Sequence, residues 1–225
     1  AYSQRGFSAS LQAKRVENMA FKSMRSTPGQ QLYINYLPAI TKNHTYAFLT
    51  MYPYATNVMG EQGLQGHVMW KVKKDTWLGG KYGMDVRLNS AVVCGLDTAR
   101  TGGAGTDGYS VNGGLGPLLF GEASVEVARK LSKTVKLTLT YAYQAFNPVV
   151  EGELPGLYHN NIVVADATWR VSKQHTLRFE GEWMGSDSRR DASAGHTDPR
   201  LGDWLMGLVE WSIGSHWFVS LSDQW

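Results

Sequence analysis

Glu180 and Glu182 stand two positions apart, the spacing that puts two carboxyl groups on one face of a β-strand. Paired carboxyls are what glycoside hydrolysis uses, one as acid and the other as base or nucleophile. Their parity is shared by a longer set, however: Asp85, Arg87, Glu122, Glu126, Asp166, Arg170 and Arg178 also fall on the polar faces of alternating segments. Cations are interleaved with carboxylates, and same-face neighbours are ordinary on any polar wall. These nine residues therefore read as charges facing a lumen, where they form either a salt-bridge ladder or a constriction that selects ions. No residue is singled out as catalytic.

The remaining chemical motifs weaken in context. Gly103-Ala104-Gly105-Thr106-Asp107-Gly108 matches the dinucleotide pattern, but the chemistry needs a helix after the loop to take the pyrophosphate. Tyr109 to Gly114 has no helical periodicity, so the segment reads as a surface loop. His44, His67, His159, His175, His196 and His216 are scattered without ligand spacing, and no metal site is expected. A Ser–His–acid lipid hydrolase set in a barrel wall has no serine in a nucleophile-elbow context to support it. Asp187-Ser188-Arg189-Arg190-Asp191 reads as a charged loop tip able to pair with lipopolysaccharide phosphates or bridging cations. Asn43-His44-Thr45 and Asp97-Thr98-Ala99 match glycosylation triplets of three residues each, too short to carry an assignment.

What must position these groups is β-structure. From Val135 to Phe146, Val135, Leu137, Leu139, Tyr141, Tyr143 and Ala145 alternate with Lys136, Thr138, Thr140, Ala142 and Gln144. One apolar and one polar face over about a dozen residues exceeds the usual ~5–6 residue strand and matches the ~9–11 that cross a bilayer at a tilt. The same alternation recurs around Phe7–Lys14, Gly60–Lys73, Tyr82–Asn89, Leu119–Val127, Val163–Val171, Leu177–Trp183, Leu205–Ile213 and Trp217–Leu221. Asn18 to Pro53 is less regular, with Thr45–Tyr52 read as a further strand. The count is roughly ten strands.

Composition agrees. The 225 residues are 43% apolar with a net charge of +3, and they include eight Trp, eleven Tyr and 25 Gly. A mean hydropathy of −0.29 resembles that of a soluble protein, and no apolar run approaches a membrane helix. A transmembrane barrel escapes that test, because its lumen-facing half offsets its lipid-facing half. Scattered cations without a basic stripe speak against nucleic-acid binding. The lone Cys94 excludes an internal disulfide and a cysteine-based metal cage. No signal peptide opens the chain, so either one was removed or the chain begins inside a longer protein.

The connections alternate in length. Short ones fall at Lys74–Thr76, Lys130–Thr134, Ser172–His175 and Gly214–His216; long ones fall at Gly95–Gly116, Asn147–Asn161 and Gly185–Gly202. Outer-membrane barrels alternate tight periplasmic turns with long extracellular loops in this way. Trp70, Trp169, Trp211 and Trp217 sit beside the short turns, as an interface girdle at one rim requires.

Tyr52-Pro53-Tyr54-Ala55-Thr56, Gly60-Glu61-Gln62-Gly63-Leu64-Gln65-Gly66 and Leu78-Gly79-Gly80-Lys81-Tyr82-Gly83 resemble segments of a family of outer-membrane β-barrel proteins of Bacteroidota. The resemblance is sharpest over residues 30–90. It implies fold and location and brings no catalytic residues. Members of that family are longer, which implies that Trp225 is not the true end.

The expected fold is thus an antiparallel, up-and-down transmembrane β-barrel, whole or part of a larger one, in the bacterial outer membrane. Its expected role is that of a non-catalytic scaffold in an outer-membrane secretion or uptake assembly, and the alternative is a channel with a charged lumen. Expected partners are outer-membrane lipid, lipopolysaccharide and other outer-membrane or surface proteins, without nucleic acid and without a cofactor.

Overall fold

The computed structural model describes residues 1–27, 32–34, 37–101, 108–151, 156–189 and 203–225. It holds one antiparallel sheet of ten strands in which each strand pairs with the next in sequence. The strands are β1 (Tyr2–Gln4), β2 (Phe7–Glu17), β3 (Gly60–Val72), β4 (Met84–Arg100) and β5 (Tyr109–Lys130), followed by β6 (Val135–Phe146), β7 (Leu157–Arg170), β8 (His175–Arg189), β9 (Trp204–Ile213) and β10 (Trp217–Gln224). Helical structure among the described residues is limited to short 3-10 turns at Phe48–Thr50 and Pro148–Glu151. β1 and β10 each have one partner and do not pair with each other.

Register follows the alternation. Leu139 lies opposite Val127 on one side and Ala165 on the other, while Thr140 lies opposite Glu126 and Val164. Apolar parity and polar parity therefore each continue across the sheet. The faces are buried in the opposite sense to a soluble domain. In β6 the outward Leu139, Tyr141 and Tyr143 are exposed, whereas the inward Thr138, Thr140 and Gln144 are buried. Outward Leu88, Val163, Phe179, Trp183 and Val209 are likewise exposed.

What lies on the inward, concave face is part of the chain between β2 and β3, residues 38–57. Thr45–Tyr52, expected as a strand, is instead part of an inner segment that runs from Pro38 to Asn57 and turns once at Phe48–Thr50. Its apolar residues serve packing and not a sheet ladder, since Tyr46, Met51 and Tyr52 lie against the same cluster as Phe48 and Leu49. Phe48 and Leu49 are buried against Ala142, Ile162, Val164, Met184 and Met206. Ile40 and Tyr54 are buried with Val93, Phe120, Phe146 and Tyr158. Beneath this segment apolar and polar groups are interspersed: along β7 the inward residues run from Thr168 and Asp166 through Val164 and Ile162 to buried Asn160.

The alternation of connection length holds from β5 onward but not before it, because the β3–β4 connection of residues 73–83 is longer than the β4–β5 connection of residues 101–108. Gly95–Gly116 is largely strand: β4 extends to Arg100 and β5 begins at Tyr109, with register shifts after Val93, Cys94 and Leu96 that absorb the unequal glycine-rich sides. β7 and β8 likewise extend to Leu157 and Arg189, shortening the connections expected at Asn147–Asn161 and Gly185–Gly202. The turn expected at Lys74–Thr76 instead covers residues 73–83. It folds back on itself through Asp75 N–H to Gly80 O at 2.6 Å and Gly80 N–H to Thr76 O at 2.8 Å. Gly80 and Gly83 have φ of +54° and +77°, a backbone region open to glycine, which gives the Leu78–Gly83 motif its physical reason.

Candidate functional site

The concave face and the inner segment together form a buried polar network. Glu122 of β5 is its centre. His44 Nε2 stands 2.8 and 2.9 Å from the two carboxylate oxygens of Glu122. Asn89 Nδ2 donates to Oε1 at 3.1 Å and Gln144 Nε2 to Oε2 at 3.1 Å. Gln144 Nε2 also donates to the backbone oxygen of Leu49 at 3.1 Å. A buried carboxylate is costly unless its oxygens are bonded, and here β4, β5, β6 and the inner segment supply the partners.

Glu182 does similar work on β8. Its oxygens accept the backbone N–H groups of Ala47 at 2.9 Å and Phe48 at 2.8 Å, so the carboxylate caps the single turn of the inner segment. Tyr46 donates its hydroxyl to Asp166 at 3.3 Å. Lys42 lies 3.7 Å from Glu126, which is also paired with Arg87. Arg178 contacts Glu180, Asp166 at 3.0 Å and Glu210 at 3.9 Å.

The strand-borne charges thus come together as a lining whose partners lie on the inner segment and on neighbouring strands. The exceptions are Asp85 and Arg170, which lie near the short-turn end, Asp85 opposite Lys71 and Ala128, Arg170 opposite Thr176. Glu180 and Glu182 share a face as their spacing requires, but each is occupied by a structural partner, Arg178 for the first and backbone amides for the second. Among the described residues no group of three or more His, Cys, Asp or Glu side chains is placed to hold a metal ion. Gly103–Asp107, Arg190, Asp191 and His196 lie outside the described residues.

At the opposite edge of the network Glu61 binds Lys14 at 2.6 Å, accepts the Tyr54 hydroxyl at 2.5 Å and accepts the Asn57 backbone N–H at 2.7 Å. Lys14 also donates to Pro38 O at 2.9 Å and Thr56 Oγ1 at 2.7 Å. Burial, then the bond to Glu61, raises the Tyr54 hydroxyl well above the ordinary tyrosine value. Burial and neighbouring Asp166 do the same for Tyr46.

Residues that sequence reasoning missed as part of this site are Lys14, Lys42, His44, Tyr46, Tyr54 and Glu61. The one signal was the Tyr52–Thr56 and Gly60–Gly66 resemblance. Tyr52 packs on Phe146 and Tyr158 with ring centroids at 5.5 and 5.9 Å, and Tyr54 packs on Phe120 at 5.3 Å. A Cβ at Gly63 would lie 2.8 Å from Ile40 Cγ2, so these motifs build the seat of the inner segment.

Trp70, Trp169, Trp211 and Trp217 point outward at the short-turn end and are 46%, 45%, 44% and 75% exposed. Trp211 donates Nε1 to His175 Nδ1 at 3.2 Å beside that turn.

The fold and this lining define an all-β protein, an up-and-down antiparallel sheet whose polar-parity face is covered in part by the segment Pro38–Asn57. The chain belongs to the DUF6029 family, a family of unknown function, whose model matches residues 1–225. No curated protein and no solved structure matches it.

Proposed function

We propose that this chain forms an integral outer-membrane β-barrel wall that serves as a non-catalytic scaffold in an outer-membrane assembly, with its lumen occupied by the inner segment. The observation that carries the proposal is the pinning of residues 38–57 to the acidic wall through Glu61, Glu122, Asp166 and Glu182. A concavity bonded shut by its own chain favours a load-bearing or docking role over free passage.

The membrane setting rests on exposed apolar side chains on the convex face, buried polar ones on the concave face, and outward Trp residues at the short-turn rim. In lipid every backbone N–H and C=O must be paired, so the outer edges of β1 and β10 need strand partners in that setting. Outer-membrane lipid and lipopolysaccharide would then contact the convex face.

Extraction of the native protein in mild detergent, followed by size-exclusion chromatography and mass spectrometry, tests the scaffold. Stoichiometric companions are the expected result, and a lone monomer from every gentle extraction would overturn it.

A channel reading is favoured by one observation, the charges that ring Arg178, Glu180 and Glu210 on the inner face. It requires steady conductance in planar bilayers, with ion selectivity altered by Glu180→Gln or Arg178→Gln. A closed barrel refutes it.

A further inference from the structure

At the short-turn end of the sheet the acidic lining gives way to cations around a cavity of about 820 Å³. Lys71 comes from the end of β3, Lys73 and Lys74 from the turn after it, and Lys130 and Lys136 from the β5–β6 hairpin. Arg5 and Arg129 also line the cavity, against the two acids Asp75 and Asp85. None of these cations takes part in an ion pair among the described residues, in contrast to Lys14, Lys42, Arg87 and Arg178 deeper in the fold. Lys130 and Lys136 continue into an adjoining recess of about 400 Å³ that Lys133 and Arg170 also line.

Seven cations against two acids leave an excess of positive charge that raises the local potential and attracts an anion. The geometry points to a docking site for an extended acidic peptide segment of a partner protein, which rests on the scaffold reading above. Three features select this chemistry.

The first is charge. Seven cations, five of them lysines, stand against two acids, so the cavity carries a net positive charge that several anionic groups together can offset. The second is spacing. Lys71 and Lys130 stand on strands two apart, so roughly 10 Å separates their backbones at the ~4.8 Å strand spacing, more than one phosphate group spans. An extended peptide instead places same-face carboxylates at ~6.6–7 Å intervals, which can meet several lysines in turn. The third is orientation. Lys71 and Lys136 share parity with Asp85 and Thr138, on the concave face, so they ring the mouth and do not face surrounding lipid headgroups.

The test uses the purified full chain in detergent and a fluorescent peptide of alternating glutamate and serine, with anisotropy as the readout. Saturable binding that weakens as salt rises is expected, and the same peptide with glutamine for glutamate should not bind. The triple variant Lys73→Gln, Lys130→Gln and Lys136→Gln should weaken binding about tenfold through the loss of three exposed charge contacts. Lys81→Gln with Lys173→Gln removes turn charges that do not line the cavity and should leave affinity unchanged. Heat-modifiable migration on gels checks that each variant is folded.

Equal affinity in wild type and the triple variant overturns the site. So does equal competition by inorganic pyrophosphate or by phosphatidylglycerol vesicles, which would reassign the anion to phosphate or to lipid. Companions on extraction without peptide binding would overturn the mouth alone. Peptide binding by a chain that extracts without companions would keep the mouth and remove the scaffold.

Discussion

His44 and Glu122 meet through both carboxylate oxygens, at 2.8 and 2.9 Å, with 5% and 2% of their side chains exposed. The residues are 78 positions apart in sequence, one on the inner segment and one on the sheet wall. Breaking a buried pair from one side leaves an uncompensated polar group. His44→Ala is expected to cost about 3–5 kcal/mol. Glu122→Gln, which keeps one acceptor, should cost less. Denaturant midpoints of the detergent-solubilised protein order the two variants, and equal midpoints would show that the pair does not hold the segment.

Glu182 holds the same segment by its backbone. Substituting Ala for Glu182 removes two charge-assisted bonds to the Ala47 and Phe48 amides, at about 1.5–3 kcal/mol for such a bond. Residues 38–57 should become sensitive to limited proteolysis while the strands stay protected. Protection unchanged from wild type would show the capping to be dispensable.

Packing provides an independent release. Phe48 is 0% exposed, and Phe48→Ala should destabilise by about 3–5 kcal/mol. Gly63→Val drives a side chain into Ile40 and should expose the segment to protease, whereas nothing lies within 4 Å of a Cβ at Gly66, so Gly66→Ala should be neutral. Mass mapping of the cleavage sites reads both. Identical patterns for the two glycine variants would contradict the close approach at Ile40.

The convex face is expected to meet lipid. Leu139→Arg places a charge outward at mid-strand and should cost about 2–4 kcal/mol in a bilayer, lowering recovery in the outer-membrane fraction. Thr168→Arg, on the concave parity, should leave recovery near wild type. Equal recovery of both would remove the lipid-facing assignment.

Alkaline pH should loosen the inner segment. A tyrosine whose folded value is raised adds stability that is full below the unfolded value, ~10, and declines as pH rises above it. Tyr54, buried and bonded to Glu61, and Tyr46, buried beside Asp166, both shift in that direction. Stability should therefore fall above about pH 10. Tyr54→Phe should shrink the fall, since it cannot ionise. Denaturant midpoints at neutral and alkaline pH check this, and the same slope in Tyr54→Phe would assign the loss elsewhere.

The alternation from Val135 to Phe146 and its repeats determined the strands, the parity of each face and, from β5 onward, the order of short and long connections. Those features are local: side chains alternate with period two, and a residue's parity can be read without knowing its neighbour in space. The nine charges on polar parity were legible for the same reason. Their partners were not.

Nothing in the spacing of His44 and Glu122, or of Ala47 and Glu182, says that they touch. Thr45–Tyr52 has enough apolar residues to pass for a strand. Only the placement of residues 38–57 over the concave face makes Phe48 a core residue and gives Ile162, Val164 and Met184 an apolar partner on the parity that also carries Asp166 and Glu182. The cationic mouth is likewise a product of register: it gathers Lys71, Lys73, Lys130 and Lys136 from hairpin ends far apart in sequence, which strand pairing alone brings to one rim.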